Sequence, residues 1–261
     1  MTYAAISVGS NTALPLIVSG GTLTSDATYY YRTFKSTNSL VVSNNSLVCE
    51  YLIVGSGGGG RYGGCGGSGG GISSGSMTLL PNSYTATVGS GGGWQENGNP
   101  SSFNLQTGSA GAVGNVATFG GGATGGPGAG SSGAAGSGSF GGQGGIGGSY
   151  PAWTSATSTG RDSRYAGGGG GGSYRVNYSA PGGPGGGGPG GWGLDDTTTN
   201  EFFAPADGSG RQFFGDAYPN TGGGGGGGGS SRAYNQDNTT FPGGGGSGIV
   251  IVRYTKSQVG G

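Results

Sequence analysis

Eight consecutive glycines occupy positions 222–229, and shorter runs recur at 57–60, 167–172 and 185–188. Nothing else in the chain restricts its fold so strongly. Glycine disfavours a helix by about 1 kcal/mol relative to alanine at each position, and no window shows a sustained apolar period of 3.6 residues. The longest run leads, through "SSRAYNQDNTTFP" and four more glycines, into "SGIVIVRYT", a clear strand pattern. A slack tether has no reason to end in a patterned strand. The ordered alternative is polyglycine II, the glycine form of the left-handed extended helix with three residues per turn. At a rise of about 3.1 Å per residue, 222–229 spans roughly 25 Å. An isolated helix of this kind has no internal hydrogen bonds. Copies side by side have no side chains between them and bond backbone to backbone in several directions, with a smaller Cα–H···O contribution. Ordering glycine carries the largest backbone entropy cost of any residue, so such an array is stable only if nearly every backbone group is paired. "GGPGGGGPGGWG" (182–193) adds prolines whose fixed φ suits this helix. A strict G-X-Y period, the mark of collagen, is absent.

Gly 74 and Pro 11 make up about a third of the 261 residues, a composition that on its own suggests low complexity. Aromatic residues at 10% and a net charge of zero set the chain apart from ordinary disordered sequences. Ten basic residues balance ten acidic ones. There is accordingly no basic stripe for nucleic acid and no polybasic or amphipathic element for an anionic membrane. No run approaches the roughly 18 apolar residues of a spanning helix. The start, "MTYAAISVGSNTALPLIV", lacks a basic n-region and does not read as a signal peptide. Synthesis in a reducing cytoplasm is expected, where Cys49 and Cys65 stay thiols more often than they pair.

Strand signals gather at the two ends. "YYYRTF" (29–34), "SLVV" (39–42) and "LVCEYLIVG" (47–55) are short β-branched or aromatic runs separated by turn formers, with Asn44-Asn45 as a hairpin turn. "MTLL" and "YTATV" flank a turn at Pro81-Asn82-Ser83. Strand signals then thin out for about 150 residues, until "SGIVIVRYT". "YLIV" and "IVIV" are continuous apolar runs, as in strands buried on both faces, and the simplest arrangement makes them neighbours. The expected architecture is all-β and irregular. A small β-sandwich-like base built from N- and C-terminal strands carries a bundle of polyglycine II helices with aromatic-polar loops, and there is no helix.

Between the glycine runs lie inserts that hold all three tryptophans: 93–106, 150–165, 173–181, 192–220 and 231–241. Rigid aromatics mixed with Arg, Asn and Asp on a stiff support are the usual make-up of a binding surface. The candidate contact residues are Trp94, Phe103, Tyr150, Trp153, Arg161, Arg164, Tyr174, Tyr178, Trp192, Phe202, Phe203, Phe213, Phe214, Tyr218, Tyr234 and Phe241. The alternative reading is that these aromatics cap the bundle and keep water off it. Histidine is absent altogether, which removes the commonest general base and metal ligand and any Ser-His-Asp triad. Two cysteines without histidine make no usual zinc site. G-x-G-x-x-G matches are frequent and uninformative at this glycine content. Asp195, Asp196 and Glu201 cluster, but at a spacing that fits no calcium-loop template. The expectation is a protein that is not an enzyme and that has no cofactor and no metal.

Three segments carry a resemblance: "YLIVGSGGGG" (51–60), "PNSYTATVGSG" (81–91) and "GSGIVIVRY" (246–254). Together they resemble the glycine-rich domain of bacteriophage tail-fibre and related virion proteins. The alternation of glycine runs with aromatic inserts is similar, more distantly, to the tail-fibre-tip adhesins of T-even-type phages, in which stacked polyglycine II helices present variable loops to an outer-membrane protein. The resemblance implies a virion receptor-binding protein that shows its inserts to a host surface protein or glycan. Residues 1–48 would then form an attachment segment contacting other virion proteins, 49–256 the glycine-rich domain and 257–261 a tail; a homo-oligomer is compatible with this plan. The rival is a structural virion protein, a head decoration or fibre subunit, whose inserts make intersubunit contacts. Ice binding stands third, since it wants a flat face of short, regularly spaced residues, and these inserts are bulky and irregular.

Overall fold

The computed structural model describes residues 14–61, 64–114, 131, 133–134, 136–137, 140–173, 180–191, 215–228 and 242–260. Among the described residues there are twelve strands: β1 (Ile17–Ser19), β2 (Thr22–Ser25), β3 (Tyr29–Phe34), β4 (Asn38–Ser43), β5 (Leu47–Val54), β6 (Ile72–Leu79), β7 (Asn82–Thr87), β8 (Ser101–Phe103), β9 (Gln106–Gly108), β10 (Gly148–Ser149), β11 (Arg164–Tyr165) and β12 (Ile249–Thr255). Two antiparallel five-stranded sheets form the base, in the orders β1-β4-β7-β8-β9 and β2-β3-β12-β5-β6.

The two continuous apolar runs are neighbours, as their composition predicts. β12 pairs with β5 in a register that sets Ile249 opposite Val54 and Val252 opposite Tyr51. The alternation of the strand then divides β12 between two cores. Val250, Val252 and Tyr254 face inward with Phe34, Leu40, Leu47, Ile53 and Phe103, while Ile249 and Ile251 face outward with Tyr31, Leu52, Val54, Trp153 and Tyr165. Full burial of an aliphatic side chain contributes about 1.5–3 kcal/mol, and β12 does this on both of its faces.

Several details refine the sequence-based expectation. Among the described residues there is one short α-helix, α1 (Pro151–Thr157), with Pro at its first turn and Ser158 in the left-handed region closing it. This seven-residue stretch is free of glycine, and Trp153 anchors it against the sheet. A single 3₁₀ turn, Lys256–Val259, follows β12. The boundary drawn at 48/49 falls inside β5, and β1 to β4 supply strands to both sheets, so residues 17–43 are part of the sandwich. Finally, β8 and β9 lie inside the insert 93–106 and just beyond it.

The glycine is fold. The β5–β6 ladder continues past Val54, but its period changes from two residues to three: Gly55, Gly58 and Arg61 donate to the carbonyls of Gly71, Ser68 and Cys65 at 2.9, 3.0 and 3.0 Å. Residues 166–173 show the full pattern. Gly167, Gly170 and Ser173 donate to Gly185, Gly188 and Gly191; Gly168 and Gly171 to Gly145 and Gly142; and Gly169 and Gly172 to Gly67 and Gly64. Successive amides thus point in three directions and return every third residue, which is the hydrogen bonding of polyglycine II. These segments are rods in a lattice. The rod 222–228 is bonded to 58–61, 67–70, 167–170, 188–191, 215 and 243–247, and every one of its residues is buried. Side chains have no place there, since a Cβ at Gly57, Gly60 or Gly225 would run into the carbonyl oxygen of Gly223, Gly226 or Gly243.

Candidate functional site

The sandwich fixes the direction of the rods. Rod 55–61 leaves β5, rods 64–71 and 242–248 enter β6 and β12, and rod 109–114 leaves β9. All of them therefore have one end at the sandwich and one end away from it. At the distal end, lateral hydrogen bonds tie the rods into one layer. Gly228 donates to Arg61 at 3.1 Å, Gln95 to Gly60 at 2.9 Å, Gly114 to Gly59 at 3.1 Å, Gly172 to Gly64 at 2.7 Å and Gly191 to Gly227 at 2.7 Å. Residues 114, 173, 191 and 228 all lie in this layer. Trp94 sits here in the turn between two rods and is 49% exposed. Phe140 is bridged to Ser137 and is 50% exposed, and the Gly141 amide beside it donates to the Ser173 hydroxyl at 3.0 Å. As a single aromatic in "GSGSFGGQGG", Phe140 carried little signal in the sequence.

Of the sixteen candidate contact residues, Tyr174, Tyr178, Trp192, Phe202, Phe203, Phe213, Phe214, Tyr234 and Phe241 lie outside the described residues, as do Asp195, Asp196 and Glu201. Trp94 alone among the others is at the distal layer.

Two of the candidates are core residues. Phe103 is 1% exposed, because the alternation of β8 points it between the sheets, where it packs against Tyr84. Trp153 is 8% exposed. It meets Tyr31 edge-on with ring centroids 5.9 Å apart, and the Arg253 guanidinium lies over it at 4.5 Å. These two rings are corrected from contact residues to structural ones.

The rest of the insert 150–165 lies at the sandwich end. Tyr150 packs against Tyr165, whose buried hydroxyl is 2.6 Å from the Thr159 hydroxyl, itself 2.6 Å from that of Thr157. Burial raises the Tyr165 phenol above its ordinary pKa, so it stays protonated and able to donate in this chain. The Arg164 guanidinium donates to the Gly147 carbonyl at 3.0 Å, tying the insert to a rod. Arg161 is exposed and stacks over the Tyr218 ring at 4.2 Å. Tyr150 and Trp153 thus pack with the outer-face residues of β3 and β12, and α1 lies alongside β2 and β3. Cys49 and Cys65 form no disulfide; the first is in the sandwich core and the second in the rod lattice.

A family model described as a glycine-rich domain matches residues 33–255, a span that takes in the described rods and most of both cores. No curated protein matches the chain.

Proposed function

We propose that this chain, which belongs to the glycine-rich domain family, is a bacteriophage receptor-binding protein that holds variable loops on a rigid glycine scaffold against a host surface protein or glycan. One observation carries the reading: the distal ends of the rods are tied into a single layer, and residues 114, 173, 191 and 228 all lie in it. A lattice bonded in three directions is stiff, and a stiff support lowers the entropy lost when surface loops bind a partner. In this reading the sandwich end faces the particle, where Leu14 and Ile17 are exposed, and the protein carries out no catalysis.

The test replaces residues 192–214 by a short Gly-Ser link in particles that carry the chain. Normal incorporation with lost adsorption to host cells is the expected result. Lost incorporation would instead support the structural role, in which the inserts are buried between subunits.

A further inference from the structure

A sandwich has four sheet edges, and in this one they are treated unequally. β1 and β9 are three residues long, and β2 is four residues long with α1 packed alongside it. β6 is eight residues long, "ISSGSMTL", and pairs with β5 in an uninterrupted register from Leu47–Leu79 to Val54–Ile72. Exposed edges usually carry a charge, a proline or a bulge, which prevents another strand from adding to them. β6 has no charged residue, no proline and no break in its ladder. Ser74, Gly75, Ser76 and Thr78 are exposed, and no backbone hydrogen bond from another described segment reaches its outer edge.

We propose that β6 is an interface for a second copy of this chain, pairing antiparallel with its own counterpart about a two-fold axis at Ser76. The strand's own pattern favours this occupant. Ile72, Ser74, Ser76 and Thr78 share the outer face of the sheet with Val54, Leu52, Glu50 and Val48. Centring the pair on Ser76 sets Ser74 against Thr78 and Ile72 against Leu80 of the other copy. Leu80 lies just past the strand and is 66% exposed. The strand thus has a partly exposed isoleucine at one end and an exposed leucine eight residues on, with small neutral residues between. It complements itself when reversed, which is what an isologous two-fold contact requires. The proposal is independent of what the distal inserts bind.

Sedimentation of the full chain across the micromolar range tests it. A reversible dimer is expected. The double variant Ser74→Lys, Thr78→Lys should weaken that dimer by about tenfold or more, since it sets lysines opposite one another at two places, and it should leave the circular dichroism unchanged because both positions are exposed. Ser76→Cys tests the register. A residue on the axis faces itself at about 4.5–5.5 Å between Cα atoms, within disulfide range, so air oxidation should cross-link it readily while Ser74→Cys cross-links slowly. A wild-type monomer at all these concentrations, an unweakened dimer in the lysine variant, or equal cross-linking of the two cysteine variants would overturn the proposal.

Discussion

The Gly225 amide donates to the Gly58 carbonyl at 2.9 Å, and that bond joins two rods bonded to neighbours on several sides. Rod 55–61 stands to its neighbours as 222–228 does, bonded to 65–71, 92–99, 111–114, 225–228 and 243–246. The lattice therefore rests on backbones close enough to bond on every side, and only glycine permits that spacing.

Gly225→Ala should be among the most damaging single changes in the protein. Its methyl would meet the Gly243 carbonyl oxygen, which is backbone and cannot swing away. A loss of about 1–3 kcal/mol or more is expected from overpacking. Gly244→Ala is the control. Its methyl would lie 3.3 Å from the Gly92 carbonyl oxygen and 3.5 Å from Asp216 Oδ1, with no atom closer, and should cost less than about 1 kcal/mol. Denaturant titration of both variants measures the contrast.

Arg253 ties α1 to the sheet. Its guanidinium lies 4.5 Å from both the Tyr29 and the Trp153 rings, and its Nε and Nη2 both donate to Glu50 Oε2, at 3.0 and 2.6 Å. Lysine keeps the charge but loses the planar stack and the second donor. Arg253→Lys should therefore cost about 1–2 kcal/mol and shift the Trp153 fluorescence. Arg161→Ala, which removes an exposed guanidinium from Tyr218, should cost less than about 0.5 kcal/mol.

Acid should weaken the same corner of the sandwich. Asp26 accepts from the Tyr31 hydroxyl at 2.7 Å and from the Tyr29 and Thr28 amides at 2.7 and 2.8 Å, and these bonds, Tyr31 first, hold its carboxyl below the ordinary carboxylate pKa. A depressed folded-state pKa means stability that is present above the unfolded value and lost as pH falls through the folded one. Asp26→Asn should flatten the acid limb of a stability-versus-pH curve. Tyr31 works in the opposite sense: burial, then the Asp26 bond, raises its phenol, so its contribution is lost as pH rises beyond the ordinary tyrosine range. Tyr31→Phe should remove part of both limbs.

The parts of this fold legible in the sequence are those governed by period and by glycine. "YLIV" and "IVIV" announced strands buried on both faces, and the runs 167–172 and 222–229 announced rods, because no other compact form suits them. Side-chain destinations were less legible. Trp94 and Trp153 both sit in polar, glycine-flanked inserts, yet one is at the distal layer and the other fills a space beside Tyr31 that the topology alone creates. β8 and β9 were hidden because their turn is Asn104-Leu105, with φ of 42° and 68°. Positive φ at such turns normally calls for Asn-Gly, so Leu105 masks the hairpin, and Phe103 read as part of a loop.

Cys49 offers a way to ask whether lattice and sandwich unfold together. Burial, and then the neighbouring Glu50 charge, push its thiol up to about 12, so at pH 8 roughly one molecule in ten thousand carries the reactive thiolate. Iodoacetamide should therefore modify Cys49 only through unfolding, at a rate set by the open population. The rods run directly out of β5 and into β6 and β12, so a lattice defect should destabilise the sandwich as well. Gly225→Ala should then speed Cys49 alkylation by the factor that its denaturant titration predicts, with peptide mass spectrometry separating Cys49 from Cys65. Gly244→Ala should change the rate much less. If Gly225→Ala lowers stability while Cys49 reacts at the wild-type rate, the lattice melts alone and the sandwich stands without it.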